Sequence, residues 1–367
     1  LWAGDAQLTR YELQTSRGQL VRKWLTHKGD RFVAPLQLRG SVLIHARRRR
    51  GKLGVTVAAE NMEEERNGRQ EGTKLWEIDL GVPPAGRPIV DRASQEIDVI
   101  NRNGALFAVG KNAIRVGAVD SPRNQVQDAD CLPFVGSIAL DDQSYAYFPA
   151  AGEARIVMLR VGDHESPFRT LTLGVGGQRP ATPPIAFRQQ ILIPTTSGGV
   201  YLLDPQTGKP AVSPFQAPMT SGDQINWQRP TVGPAGEDVW LSDGRVQVYQ
   251  LAISGTPRPH ISALTQRQVD APLVAPMVVL ESTAFGIVRG SSQDILRRWA
   301  VADWQSLQQT ELPGQVVWGP HPLGDYVLLM TNEGDLVSVD GQTQRFSIDT
   351  ITSAAIGMPQ QYDDGFV

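Results

Sequence analysis

Cysteine, long apolar runs, helical periodicity and surplus charge of one sign are all scarce in this sequence. Among 367 residues there is one cysteine, Cys131. A lone thiol excludes an internal disulfide and any zinc cluster built from cysteines, and Cys131 reads as a small buried hydrophobe. No apolar run approaches the roughly 20 residues that a membrane-crossing helix needs. The first residues also lack the basic-then-apolar order of a secretory leader, so no membrane insertion is expected in this segment. The abrupt start at Leu1 and end at Val367 leave room for a domain of a larger, membrane-anchored chain. The net charge of -3 argues against nucleic acid as a partner, because phosphate recognition draws on a basic surplus.

Glycine and proline, by contrast, are plentiful, at 36 and 26 residues. Together with the missing helical periodicity they predict many short strands joined by many turns. The stretch Gly199 to Lys209 (GVYLLDPQTGK) shows the local rule. Val200 to Leu203 is β-branched, aromatic and aliphatic, the composition of a half-buried strand. Asp204 and Pro205 then end it, since Asp bonds its own backbone two residues on and Pro presets φ. Gly208 supplies a left-handed turn residue.

The plan recurs at Gly4 to Leu13, Asn101 to Gly110, Asp243 to Leu251 and Asn332 to Gly341. Apolar segments marked by Pro or Gly lead into the repeats at Phe32–Leu36, Arg87–Val90, Leu132–Gly136, Arg179–Pro183, Arg229–Gly233, Leu273–Pro276, Val317–Pro320 and Ala354–Gly357. Successive markers lie roughly 35 to 55 residues apart, the span of one four-stranded propeller blade. In the best-defined repeat, Arg179 to Ala186 is the innermost strand, Gln190 to Pro194 the second, Val200 to Leu203 the third and Ala211 to Phe215 the outermost. The expectation is one all-β domain over 1–367, a β-propeller of four-stranded antiparallel blades, eight in number with seven as the alternative. Residues 1–28 and 354–367 each hold about half a blade, so the two termini pair to close the ring.

At Leu203-Asp204-Pro205-Gln206-Thr207-Gly208-Lys209 and at Leu75-Trp76-Glu77-Ile78-Asp79-Leu80-Gly81 the chain resembles the PQQ-like repeat family. It departs from that pattern at Val212, where the family usually carries Trp. The resemblance implies a propeller, an extracytoplasmic bacterial location in the periplasm or cell envelope, and either a quinone-dependent dehydrogenase or a non-catalytic scaffold. Dehydrogenases of this kind clamp their cofactor under a ring made by two adjacent cysteines, which one Cys131 cannot form. Asp128-Ala129-Asp130, the nearest approach to a calcium loop, lacks the Gly and downstream Glu of such a loop and reads as a solvated turn.

Catalytic motifs are equally thin. His27, His45, His164, His260 and His321 are scattered, with no pair at metalloprotease spacing. There is no nucleophile elbow and no phosphate loop, and Gly174-Val175-Gly176-Gly177 is followed by Pro180, Pro183 and Pro184 in place of a helix. No catalytic, cofactor-binding or metal-binding residue is assigned, and no cofactor is expected.

Two charged features remain. Arg47, Arg48, Arg49 and Arg50 stand between apolar strands, as a patch for an acidic partner or as a solvated hairpin tip. The polar insertion from Glu60 to Gly72, with Glu63, Glu64, Glu65 and Arg66, is the loop chosen for a partner contact; mutual neutralisation with the arginines is the alternative. Trp227, Trp240, Trp299, Trp304 and Trp318 are expected to pack between blades. The function expected is a protein-binding or assembly scaffold, against an enzyme that handles quinone or carbohydrate with its site residues spread over blades.

Overall fold

The structure, a computed structural model, describes residues 2–3, 8–14, 19–62, 65–66, 69–70, 73–91, 94, 96–119, 121–127, 133–149, 153–219, 224–255, 257–341, 346–350, 361–362 and 365–366. Nearly all regular structure among them is strand, with a six-residue helix at Lys111–Val116 that ends on Gly117 at φ 79°. Contacts divide the chain into two compact units, Leu1–Ser137 with Leu159–Arg169 and Arg345–Val367, and Ile138–Met158 with Thr170–Gln344.

In the first unit the strand Leu8–Gln14 pairs with Gln19–Thr26 on one edge. On its other edge it takes a strand from the far end of the chain, with Tyr11 opposite Phe366 and Glu12 opposite Gly365. The expected pairing of the terminal segments is therefore present in one antiparallel sheet. The innermost strand expected at 354–357 lies outside the described residues, as do Cys131 and Asp128-Ala129-Asp130. The next sheet runs Val42–Arg48, Val55–Asn61, Thr73–Leu80, with the short strands Arg31–Phe32 and Gln37–Arg39 on its inner edge. A third sheet follows, from Ile89–Val90 through Ile97–Ile100 and Ala105–Val109 to Asn124–Gln125.

The chain crosses the division in the stretch that carries strands Gly136–Ala139, Ser144–Phe148, Arg155–Arg160 and Phe168–Thr172. In the second unit the repeat read from the sequence appears as Ile185–Phe187, Gln190–Pro194, Gly199–Leu203 and Phe215–Gln216 in that spatial order. The innermost strand is shorter than expected and the outermost starts later, because Pro183, Pro184 and Pro214 have no N–H to give to a ladder. The turn after Leu203 forms as its residues dictate. Asp204 Oδ1 accepts from the N–H groups of Gln206 and Thr207 at 2.9 and 2.7 Å, and Gly208 sits at φ 68°. Two more antiparallel sheets of four follow, Thr231–Val232 to His260–Gln268 and Val278–Leu280 to Ser306–Glu311. Strands Val316–Leu323, Tyr326–Thr331 and Asp335–Asp340 complete the unit.

The core lies between consecutive sheets, since no sheet of this size can hide its apolar residues alone. Val57, Ala59 and Ile78 meet Ile97, Val99 and Val109 of the next sheet. Trp227 and Leu241 meet Leu192 and Leu202 of the sheet before theirs. Trp240 and Trp299 belong to one cluster across two further sheets, with Trp304 at its margin. Four of the five tryptophans therefore pack between sheets as expected, and Trp318 lies against the ring of His321 at 4.6 Å.

Candidate functional site

The sheet formed by Val42–Arg48, Val55–Asn61 and Thr73–Leu80 has two unlike faces, because successive side chains along a strand alternate sides. Ile44, Ala46, Val55, Val57, Ala59, Ile78 and Leu80 form the apolar face. The register sets Leu43 opposite Glu60, His45 opposite Ala58 and Arg47 opposite Thr56, with Glu77 opposite Ala58 on the outer strand. His45, Arg47, Glu60, Thr56 and Glu77 therefore share the other face. Diagonal neighbours on such a face are within reach of long side chains, and Glu60 Oε1 stands 3.1 Å from His45 Nε2.

A third group enters from outside the sheet. His27 follows the strand Gln19–Thr26 in a left-handed conformation, φ 51°, and its Nε2 lies 2.5 Å from the same Glu60 Oε1. Its Nδ1 is 3.9 Å from Asp30 Oδ2. Asp30 in turn accepts from Arg47 Nε at 2.9 Å and from the Arg50 backbone N–H at 3.1 Å. The rings of His27, Phe32 and His45 wall the site, with centroids 5.3 to 6.2 Å apart.

Burial decides the electrostatics here. His45 is fully buried and Glu60 is 3% exposed. Burial pushes the His45 imidazole below its usual value, against the opposing pull of Glu60. Burial raises the Glu60 carboxyl, but the hydrogen bonds from His27 and His45 outweigh it and hold the group well below the usual carboxylate range. The cluster therefore carries an ionised carboxylate beside a neutral imidazole, inside the protein.

The basic run divides along the same alternation. Arg47 is buried and bonded to Asp30, so it is no part of a surface patch. Arg49 is half-buried and bonded to Glu77, while Arg48 and Arg50 are exposed. Glu65–Arg66 forms a two-residue strand paired with Arg69–Gln70, and Glu63 and Glu64 lie outside the described residues. The sequence did not bring His27, His45 and Glu60 together. The signal it held was period-two polarity within apolar strands, at His45 and Arg47 and at Thr56 and Glu60.

No family model matches the chain, and no curated protein matches it in sequence. In structure it is similar to BamB from Moraxella catarrhalis, at 13% identity and a TM-score of 0.55, with 89% of each chain covered. It is also similar to Sqt1 from Saccharomyces cerevisiae, at 9% identity and a TM-score of 0.60, over 96% of this chain and 90% of that one. The likeness shows the fold, an all-β propeller of antiparallel sheets.

Proposed function

We propose that this chain is a non-catalytic propeller of the PQQ-like repeat type that binds a protein partner. Its residues form one domain of eight blades, one of them completed jointly by 1–28 and 354–367. A cell-envelope location goes with that reading.

The observation that supports partner binding is the strand His260–Gln268. It closes its sheet, pairing with Gln247–Ser254 along one edge. Ser213 bridges to His260 at its start, and from Ala263 onward its other edge has no strand partner among the described residues. Leu264 in that stretch is 58% exposed. A bare strand edge presents main-chain donors and acceptors to an added strand, which is how many scaffolds take up an extended peptide.

Two measurements test the reading. A photo-crosslinking residue at Leu264, introduced in the native host, is expected to give one stoichiometric protein adduct, with none from the same residue at Lys52. Titration with pyrroloquinoline quinone and calcium is expected to leave absorbance and melting temperature unchanged. Saturable quinone binding with a raised melting temperature would establish an enzyme-like cofactor site in place of a scaffold.

A further inference from the structure

The cluster on the polar face of the Val42–Leu80 sheet has an unfilled valence. Nε2 of His27 and Nε2 of His45 both point at one oxygen, Glu60 Oε1, at 2.5 and 3.1 Å. One ligand atom from each of the three residues lies within 4.8 Å of the other two. The second oxygen, Glu60 Oε2, is buried and has no hydrogen-bond partner. Buried polar atoms are normally partnered, because leaving one without a partner costs about 1–3 kcal/mol, and more when it is charged.

We propose that His27, His45 and Glu60 bind one divalent transition-metal cation of the zinc class. Two imidazole nitrogens and a carboxylate oxygen suit zinc, and also copper or nickel, whereas magnesium and calcium ask for oxygen donors throughout. Zinc bonds of about 2.0–2.2 Å set the edge of a tetrahedral site at about 3.4 Å. The two separations from Oε1 are 2.5 and 3.1 Å, so each nitrogen needs to move away from Oε1 by no more than about 1 Å to reach that edge. The fourth position belongs to water or an anion.

The surroundings agree with that assignment. A ligating imidazole with Nε2 on the metal keeps its proton on Nδ1, where a carboxylate usually receives it. Asp30 is the carboxylate on that side of His27, 3.9 Å from Nδ1 and so beyond a direct hydrogen bond. Arg47 is a nearby cation that would oppose the ion, and its Nε and Nη2 face Asp30 and Glu77. Its Nη1 lies 3.4 and 3.2 Å from the two ring nitrogens of His45. An ion at His45 Nε2 would have to displace Nη1 from that nitrogen, and Asp30 and Glu77 are the carboxylates that would keep the guanidinium.

Such an ion would be a staple. His27 comes from the sheet that pairs the first and last strands, and His45 and Glu60 come from the sheet that follows. One ion would tie them across a chain separation of 33 residues.

The test uses the full chain without an affinity tag. Zn2+ is titrated calorimetrically, and Co2+ is followed by its visible absorption, which intensifies at four-coordinate sites. One equivalent of Zn2+ is expected to bind and to raise the melting temperature. His27→Gln, at a partly buried position, and the near-isosteric Glu60→Gln are each expected to weaken binding by at least about tenfold, with unchanged circular dichroism. His164→Gln, at an exposed position outside the cluster, is expected to bind as the native chain does. Absence of saturable binding, or binding unaltered in both His27→Gln and Glu60→Gln, would overturn the assignment.

Discussion

Glu60 Oε1 lies 3.1 Å from His45 Nε2 although Leu43, not His45, is the residue directly across from Glu60. The diagonal follows from strand alternation, and it puts an ionised carboxylate against a buried ring on one face of a sheet whose other face carries a buried apolar cluster. The same alternation separates Arg47 from its neighbours in the basic run.

Arg47 and Arg50 should therefore respond very differently to replacement. Arg47→Met leaves Asp30 short of its buried partner and is expected to destabilise the protein by about 3–5 kcal/mol. Arg48→Ala and Arg50→Ala, at exposed positions, should stay within about 0.5 kcal/mol. Urea denaturation monitored by circular dichroism checks this, and equal effects at all three positions would refute the inward placement of Arg47.

The turn after Leu203 separates side-chain bonding from backbone conformation. Gly208 is at φ 68°, and a Cβ there would stand 2.4 Å from the carbonyl oxygen of Thr172. Gly208→Ala is expected to cost about 1–2 kcal/mol through the left-handed conformation, with the approach to the Thr172 carbonyl adding to it. Asp204→Ala gives up exposed turn bonds and should cost about 1 kcal/mol. Melting temperatures of the two variants should fall in that order.

Two buried tryptophans differ in one bond. Trp227 Nε1 donates to the carbonyl of Thr195 at 2.9 Å, whereas Trp240 Nε1 is buried without a partner. Replacement by Phe removes similar volume at both sites, so Trp227→Phe should cost more than Trp240→Phe by about 1–3 kcal/mol. Chemical denaturation of the pair measures the difference, and a reversed order would contradict the bond.

His321 makes stability depend on acid. Burial, with the nearby Arg229 charge, pushes its imidazole down from 6.5 to about 4. The unfolded chain then takes up this proton first as pH falls, so the contribution is intact above pH 6.5 and is lost as pH drops toward 4. The full loss is on the order of 3 kcal/mol. His321→Gln should flatten the stability profile over that range, and an unchanged slope in the variant would place the titration elsewhere.

Much of the fold was legible because its rules are local. The strand from Gly199 to Leu203, the Asp204 turn and Gly208 each follow from conformations available to those residues alone. Recurrence of that pattern implied sheets that must stack, and the tryptophans between sheets follow from the same need. The inner and outer strands of that repeat are less legible, because proline spacing trims ladders in ways that composition does not show.

The sequence by itself determined the strand-and-turn grammar and the pairing of its two ends, since alternation, turn residues and repeat spacing act over a few neighbours at a time. Tertiary structure alone decided that His27, His45 and Glu60 meet. They are 15 and 33 residues apart along the chain, and their meeting depends on one cross-strand register and on a turn from an adjoining sheet. A shift of that register by one residue would turn each side chain to the opposite face.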